Sequence, residues 1–254
     1  MADSEARIII SADHKSLEIE NKYTLNFFDE FAVEEAIRIK EKFKDSQITV
    51  CTFGAKRSIE ALRTTIAMGA DRAFLIDNTQ YPSENPMVVA TILARFAQQE
   101  GFDIILCGRQ AMDDENAQLG SMIAELLSIP HISAIMKLEI IGDKKVRVEN
   151  EIEGGRATIE VTLPALFTTQ KGLNEPRVPL ITGVMKAMKA TIPVIDPLTL
   201  GLTKEELDSY AAMMHLFSYE PPPSRPPVKI IEGETPEEKV NKLIKILKED
   251  AKVL

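Results

Sequence analysis

Cysteine and histidine are scarce, with two and three copies in 254 residues. Cys51 and Cys107 each sit inside an apolar run, 48–53 and 104–107, so buried reduced thiols are expected rather than a disulfide framework or a thiolate zinc site. His14, His131 and His215 fall in unrelated segments, none beside a Cys or another His at ligand spacing, which argues against a metal site. Equally missing are G-x-G-x-x-G, a Walker sequence, G-x-S-x-G and H-E-x-x-H, and with them the usual dinucleotide, triphosphate, esterase and metalloprotease readings. No apolar run approaches the roughly 20 residues of a membrane helix. The opening Met1-Ala-Asp-Ser-Glu5 has neither the basic nor the apolar region of a signal peptide, so a cytoplasmic chain is expected. Thirty Lys and Arg against thirty-nine Asp and Glu leave a net charge of −9, which argues against bulk attraction to nucleic acid or anionic lipid.

What is present suits a globular protein: 44% hydrophobic and 27% charged residues, enough chain for one large domain or a domain with appendages. The first 130 residues alternate short β-rich runs with segments of helical period, the pattern of βαβ units and a parallel sheet. Strands are expected at 7–10, 48–53, 73–76 and 104–107, with the first opening the sheet. Helices are expected at 29–44, 55–68, 87–99 and 115–127. Beyond residue 130 the period falls to two over 132–141, 145–151 and 156–163, an antiparallel extension, followed by an apolar run at 163–168. Prolines then break the pattern, and the chain reads as an extended arm. The stretch Glu220-Pro-Pro-Pro-Ser-Arg-Pro-Pro227 reads as a stiff linker, since each proline lacks a donor and fixes its own φ. Thr235, Pro236, early Glu and late Lys signal a terminal helix. The expected division is an α/β nucleotide-binding domain over 1–170, an arm with a linker over 171–234, and a docking helix over 235–254.

The densest polar constellation follows the expected strand at 104–107, where Gly108-Arg-Gln-Ala-Met-Asp-Asp-Glu-Asn-Ala-Gln-Leu119 runs into a helix start. Ligands of open parallel sheets bind at such strand ends. Gly108 permits close approach, Arg109 is a forked cation, and the amides of 116–119 would point along a helix dipole suited to a phosphate, with Asn116 and Gln118 as side-chain candidates. Asp113, Asp114 and Glu115 admit a plainer account, because acidic residues at a helix start stabilise it by about 0.3–1 kcal/mol each without any ligand. Asn26-Phe-Phe-Asp29 and Gly54 follow two other strands, so three loops converge on one edge of a doubly wound sheet.

These segments carry a resemblance. Asn26-Phe-Phe-Asp-Glu-Phe-Ala-Val-Glu-Glu-Ala36, Ala67-Met-Gly-Ala-Asp-Arg72, Gly108-Arg-Gln-Ala-Met-Asp-Asp114, and Leu173-Asn-Glu-Pro-Arg177 followed by Val184-Met-Lys-Ala187 resemble the β subunit of electron transfer flavoprotein, over nearly the whole chain. The resemblance implies a doubly wound, mainly parallel sheet with an antiparallel extension, an adenine-nucleotide-α-hydrolase-like (Rossmann-like) fold with an extended C-terminal arm and terminal helix. It implies an α-subunit partner that holds most of an FAD, and a structural AMP in this chain with no hydrolysis.

Carried residue by residue, it places AMP against Ser11, against Asn26, Phe27, Phe28 and Asp29, against Phe53, and against the stretch formed by Gly108, Arg109, Gln110, Ala111, Met112, Asp113, Asp114, Glu115, Asn116, Ala117, Gln118 and Leu119. It makes the arm a recognition loop for acyl-CoA dehydrogenases, with Ile181 at the anchor position, Leu180 beside it, and Met185 and Lys186 in the same segment. The alternative for Leu180 and Ile181 is packing on their own chain. Glu151 falls where the family has a carboxylate that pairs with an arginine of the flavin domain, although an exposed strand-end Glu with no role is as common. Electrons would pass on to a membrane quinone oxidoreductase. Two other readings share the fold: a bifurcating subunit with a second FAD in place of AMP, and a stand-alone adenine-nucleotide-binding stress-type protein. The resemblance is incomplete in three places. The family's Val-Lys-Gln/Arg-Val-Pro-like segment and longer loop shrink to 11–20, its Asn-Pro-Phe is Asn26-Phe27-Phe28, and the lysine run is reduced to Lys186-Ala-Met-Lys189.

Overall fold

Short β-rich runs separated by amphipathic helices build a mixed α/β body. A computed structural model describes residues 1–81, 85–225 and 227–253, so Pro226 of the expected linker and Leu254 of the expected terminal helix lie outside the described residues. The chain runs β1 (Ile8–Ile10), β2 (Leu17–Ile19), α1 (Phe27–Lys42), β3 (Thr49–Gly54), α2 (Ile59–Met68), β4 (Arg72–Asp77), α3 (Pro86–Glu100), β5 (Ile104–Gly108) and α4 (Leu119–Leu126). It continues through β6 (His131–Gly142), β7 (Lys145–Ile152), β8 (Gly155–Thr162), β9 (Ala165–Thr169), α5 (Ile181–Lys189), β10 (Val194–Ile195), α6 (Lys204–Ala211) and α7 (Pro236–Glu249). Residues Met1–Ser218 form one compact unit and Tyr219–Leu254 another.

Among the described residues the strands divide into three sheets. β10, β4 and β3 form a parallel sheet in that order; β5, β9, β6, β7 and β8 form a mixed one, parallel from β5 to β6 and antiparallel from β6 to β8. Parallel strands need covered faces, and two helices provide cover across both sheets. Val88, Ile92 and Phe96 of α3 pack with Cys51 and Phe53 of β3, while Ala90 and Ala94 of the same helix pack with Ile105 and Cys107 of β5. On α1, Val33 and Ile37 pack with Ile48 and Val50, and Ile39 joins Ile104 and Leu106. Both thiols sit in these cores, and burial pushes Cys51 up to about 12 and Cys107 well above the ordinary thiol range.

Three sequence expectations need correction. The apolar run at 7–10 does not open the main sheet, because Ile8–Ile10 pairs antiparallel with Leu17–Ile19 in a separate ribbon. Its turn closes locally, with Ser11 N donating to Ser16 O, and a short loop costs less chain entropy than a distant partner. The helix expected over 115–127 begins only at Leu119, because Glu115 and Ala117 both stand at φ 52°, a left-handed backbone that no α-helix continues through. Asp113, Asp114 and Glu115 therefore lie upstream of the helix rather than in its first turn, which holds no acidic residue. Finally, the segment after Leu173 is not extended throughout. It carries α5, then β10, which adds a parallel edge to β4, then α6, capped by Thr203.

Candidate functional site

The strand ends at Gly54 and Asp77 lie in register, as do those at Gly108 and Thr169, and the start of α1 is stitched onto the second pair. Asn26 is buried just ahead of α1, where its side chain does three jobs. Its Nδ2 donates to Asp29 Oδ2 at 2.9 Å and to the Gln110 carbonyl at 2.9 Å, and its Oδ1 accepts from Met112 N at 3.2 Å. Asp29 Oδ1 accepts the Gly108 amide at 2.6 Å, and Thr169 Oγ1 donates to the Phe28 carbonyl at 2.8 Å. Gly108 is required by this closeness, since a Cβ there would lie 2.7 Å from Phe28 Cβ. Buried polar groups that satisfy one another in this way rigidify a loop junction.

The expected nucleotide-contact residues thus separate into groups. Asn26, Phe28, Asp29, Gly108, Gln110 and Met112 are brought together by hydrogen bonds or direct packing. Arg109 joins them, its amide donating to Thr169 O at 3.0 Å, its Nη1 to Gln170 Oε1 at 3.2 Å, and its guanidinium standing 5.1 Å from the Phe28 ring centroid. Phe27 is 40% exposed and meets Phe28 and Phe31 edge-on at 5.4 and 5.0 Å, so the site has an accessible aromatic surface. Ala111 is half-buried and accepts the Glu115 amide, while 112–118 are exposed. Within that loop Asp114 receives the Asn116 amide and Asn116 Nδ2, both at 3.1 Å, and Asp113 Oδ2 accepts the Ala2 amide at 3.2 Å. Gln118 precedes α4 without capping it through its side chain, and Leu119 opens the helix, whose first-turn amides have no intrahelical acceptor.

Two expected residues are placed elsewhere. Ser11 Oγ donates to Asp13 Oδ1 at 2.6 Å and to Ser16 O at 2.9 Å, bonds that tie it to the β1–β2 turn rather than to the Asn26 cluster. Phe53 packs into the core beneath α3. Sequence reasoning missed Thr169, whose hydroxyl lies at the meeting of Phe28 and Cys107 carbonyls. Its signal was a Thr doublet ending an otherwise apolar strand. A cleft of ≈ 370 Å³ lies away from these loops, between the end of α1 and β6, lined by Glu35, Arg38, Ile39, Phe43, Leu138 and Leu173 among others.

Along α1, from Phe31 to Glu41, a second constellation holds the arm. Arg177 Nε and Nη2 fork onto the Glu34 carboxylate at 2.8 and 3.1 Å, and Arg177 Nη1 reaches Glu41 Oε1 at 2.7 Å. Asn174 Nδ2 donates to Phe31 O at 3.0 Å and to Glu35 Oε2 at 2.9 Å. Burial pushes the Glu34 carboxyl up, but the hydrogen bonds from Arg177 and Arg38 outweigh it and hold the group below the usual carboxylate range. Glu35 goes the other way, raised by burial despite the Asn174 bond. Beyond the clamp, Val178, Leu180 and Ile181 are 86%, 75% and 81% exposed, so neither of the last two packs on its own chain. Met185 and Lys186 are also exposed on α5. Glu151 is exposed at the end of β7, across the ladder from Arg156.

Comparison with known proteins agrees with this picture. An electron transfer flavoprotein domain matches residues 16–199, well over half the chain, leaving β1, α6 and α7 outside the match. The chain is 36% identical over 255 residues to the electron transfer flavoprotein subunit beta of Bacillus subtilis (strain 168), covering 99% of this chain and 96% of that one. It is 37% identical over 227 residues to the Homo sapiens subunit beta, covering 89% and 86%. Against the mitochondrial subunit beta of Oryza sativa subsp. indica it is 34% identical over 258 residues, covering 100% and 96%.

Proposed function

We propose, because the chain belongs to the electron transfer flavoprotein β-subunit family, that it pairs with an α subunit, binds AMP as a structural ligand and docks acyl-CoA dehydrogenases. The chain is a non-catalytic electron-carrier subunit. In the full proposal the FAD is held mainly by the α partner and supplies the redox chemistry, in the cytoplasm, passing electrons to a membrane quinone oxidoreductase. The nucleotide-binding part belongs to a Rossmann-like fold of the adenine-nucleotide-α-hydrolase type.

The residues suit an adenine nucleotide. Two kinds of phosphate donor are on offer, the first-turn amides of α4 and the Arg109 guanidinium, and Phe27 and Met112 offer exposed apolar surface. The clustered hydrogen bonds of Asn26 and Asp29 fix the loops on which these groups stand. No thiolate nucleophile is poised there, since burial keeps Cys107 protonated, in keeping with a ligand that is held and not turned over. On the arm, the work of this chain is to present apolar side chains to a partner while the α-held cofactor comes within electron-transfer range.

The observation that carries the reading is the exposure of Leu180 and Ile181 at 75% and 81% immediately beyond a clamped segment. Aliphatic groups held out in this way gain roughly 1.5–3 kcal/mol each on entering a preformed pocket. The nucleotide half is tested by denaturing the co-purified heterodimer and chromatographing what is released. One AMP and one FAD are expected. Two FAD, or no nucleotide beyond one FAD, would overturn the AMP assignment.

A further inference from the structure

The two motifs that stand about 140 residues apart in the sequence, Val33-Glu-Glu35 and Asn174-Glu-Pro-Arg177, are one hydrogen-bonded unit in the structure. Glu34 has only 3% of its side chain exposed, and its carboxylate is shared between Arg177 and Arg38, the latter at 2.9 Å. Arg177 adds its own backbone amide to Glu34 Oε2 at 3.2 Å, so main chain and side chain grip the same group. Asn174 grips α1 on both sides of Glu34, at Phe31 O about one turn before it and at Glu35 just after it. Pro176 and Pro179 flank the arginine and fix their own φ. The arm therefore leaves the body with a set direction rather than as a free linker.

The downstream end is held as well. Arg63 of α2 donates to the Ala187 carbonyl near the end of α5, and a side chain at Gly183 would run into the Ala67 carbonyl oxygen, so α5 lies directly on α2. Between these two anchors stand the exposed aliphatic residues Val178, Leu180 and Ile181. An apolar side chain that must enter a partner's pocket loses rotational and positional freedom on docking, and a support that removes that freedom beforehand raises affinity without touching the partner.

We propose that Arg177 is a positioning residue for docking, which locks the arm to Glu34 and Glu41 of α1 and so sets the direction in which Leu180 and Ile181 are presented. This inference builds on the docking role given above to Leu180 and Ile181. An arginine is needed for geometric reasons: its planar fork meets Glu34 through two nitrogens and Glu41 through a third, whereas a lysine offers one point charge.

The test uses the complete α–β heterodimer and the flavin reduction driven by an acyl-CoA dehydrogenase with its substrate, in R177K, I181A and the double variant. R177K is expected to raise KM for the dehydrogenase roughly 3- to 10-fold, the scale of one lost charge-assisted fork, with kcat and nucleotide content unchanged. In the I181A background the same substitution is expected to change KM less than about 2-fold, because coupled sites are not additive. Equal effects in both backgrounds, or a fall in melting temperature with KM unmoved, would reduce Arg177 to a fold-stabilising residue and overturn the proposal. If R177K fails to assemble, E41Q carries the test: it leaves the Glu34 fork intact, and its smaller rise in KM must also vanish in the I181A background. An I181A variant with normal KM would instead overturn the docking reading itself, an outcome distinct from the failure of Arg177 alone.

Discussion

Helices α5 and α7 both set apolar side chains among charged ones, yet they are held by opposite means. α7 is built from local signals. Thr235 caps it by accepting the Glu238 amide at 3.2 Å, Pro236 opens it, and Glu238 pairs with Lys242 at 2.6 Å one turn on. It buries no residue. α5 has no side-chain cap at Leu180 and no acid in its first turn, but it is fastened through Arg63, Ala67 and the Arg177 clamp, contacts that span 124 and 143 residues of sequence. Caps and i,i+4 pairs suffice to specify a helix, whereas presenting a helix in a fixed direction takes tertiary contacts.

That contrast can be broken at several points. The largest effect is expected from Gly183→Val, which forces α5 off α2: overpacking against a backbone carbonyl costs about 1–3 kcal/mol, occasionally more. Urea unfolding of the chain should show a lower midpoint, and an unchanged midpoint would mean that α5 does not rest on α2. Glu34→Gln comes next. It leaves Arg177 and Arg38 without their shared charge, and with Arg177 35% exposed the loss is discounted to about 1–2 kcal/mol from the larger figures for buried pairs.

The same carboxylate gives a pH test. The folded-state pKa of Glu34 is depressed below its ordinary 4.5, so its contribution is fully present above about 4.5 and is lost as the pH falls through the lower folded value. Unfolding at pH 7 and in acid should therefore separate wild type from Glu34→Gln at neutral pH and bring them together in acid. A gap that persists in acid would show that the charge is not what Glu34 contributes. On the other helix, Thr235→Ala should cost about 1 kcal/mol of local helix stability, visible as faster amide exchange at the start of α7, with the stability of Met1–Ser218 unmoved. Smallest of all, Leu243→Ser on the exposed side of α7 should shift the stability of the chain by less than about 0.5 kcal/mol.

The same difference explains what could be read from the sequence. α1, α3 and α7 announce themselves by apolar spacing and by Asn85 or Thr235 at their starts, and the three strands of the antiparallel extension by their period of two. α5 was missed although Ile181, Val184, Met185 and Met188 stand at helical spacing with Lys186 and Lys189 in the last turn, because the segment is short and the prolines at 176, 179 and 193 around it read as extended chain. The early end of the expected 115–127 helix failed because left-handed backbone at Glu115 and Ala117 carries no mark in those residue types. At the candidate site, Asn26, Asp29 and Gly108 were legible as polar or glycine residues at strand ends, and the structure joins them. The placement of Ser11 was not legible, because it depended on whether Ile8–Ile10 would choose the main sheet or its neighbour Leu17–Ile19. The link between Glu34 and Arg177 needed three dimensions: in sequence a Glu on a buried helical position is only an oddity, and its partner is far away.

The most direct measurement is the KM for an acyl-CoA dehydrogenase in flavin reduction by the heterodimer carrying Leu180→Ala and Ile181→Ala, with nucleotide content measured on the same sample. A docking arm requires KM to rise by roughly tenfold or more, the loss of about 1.5–3 kcal/mol of aliphatic burial, with kcat and bound AMP and FAD unchanged. An unaltered KM in a fully loaded heterodimer would contradict it and leave the two exposed side chains without a role in docking.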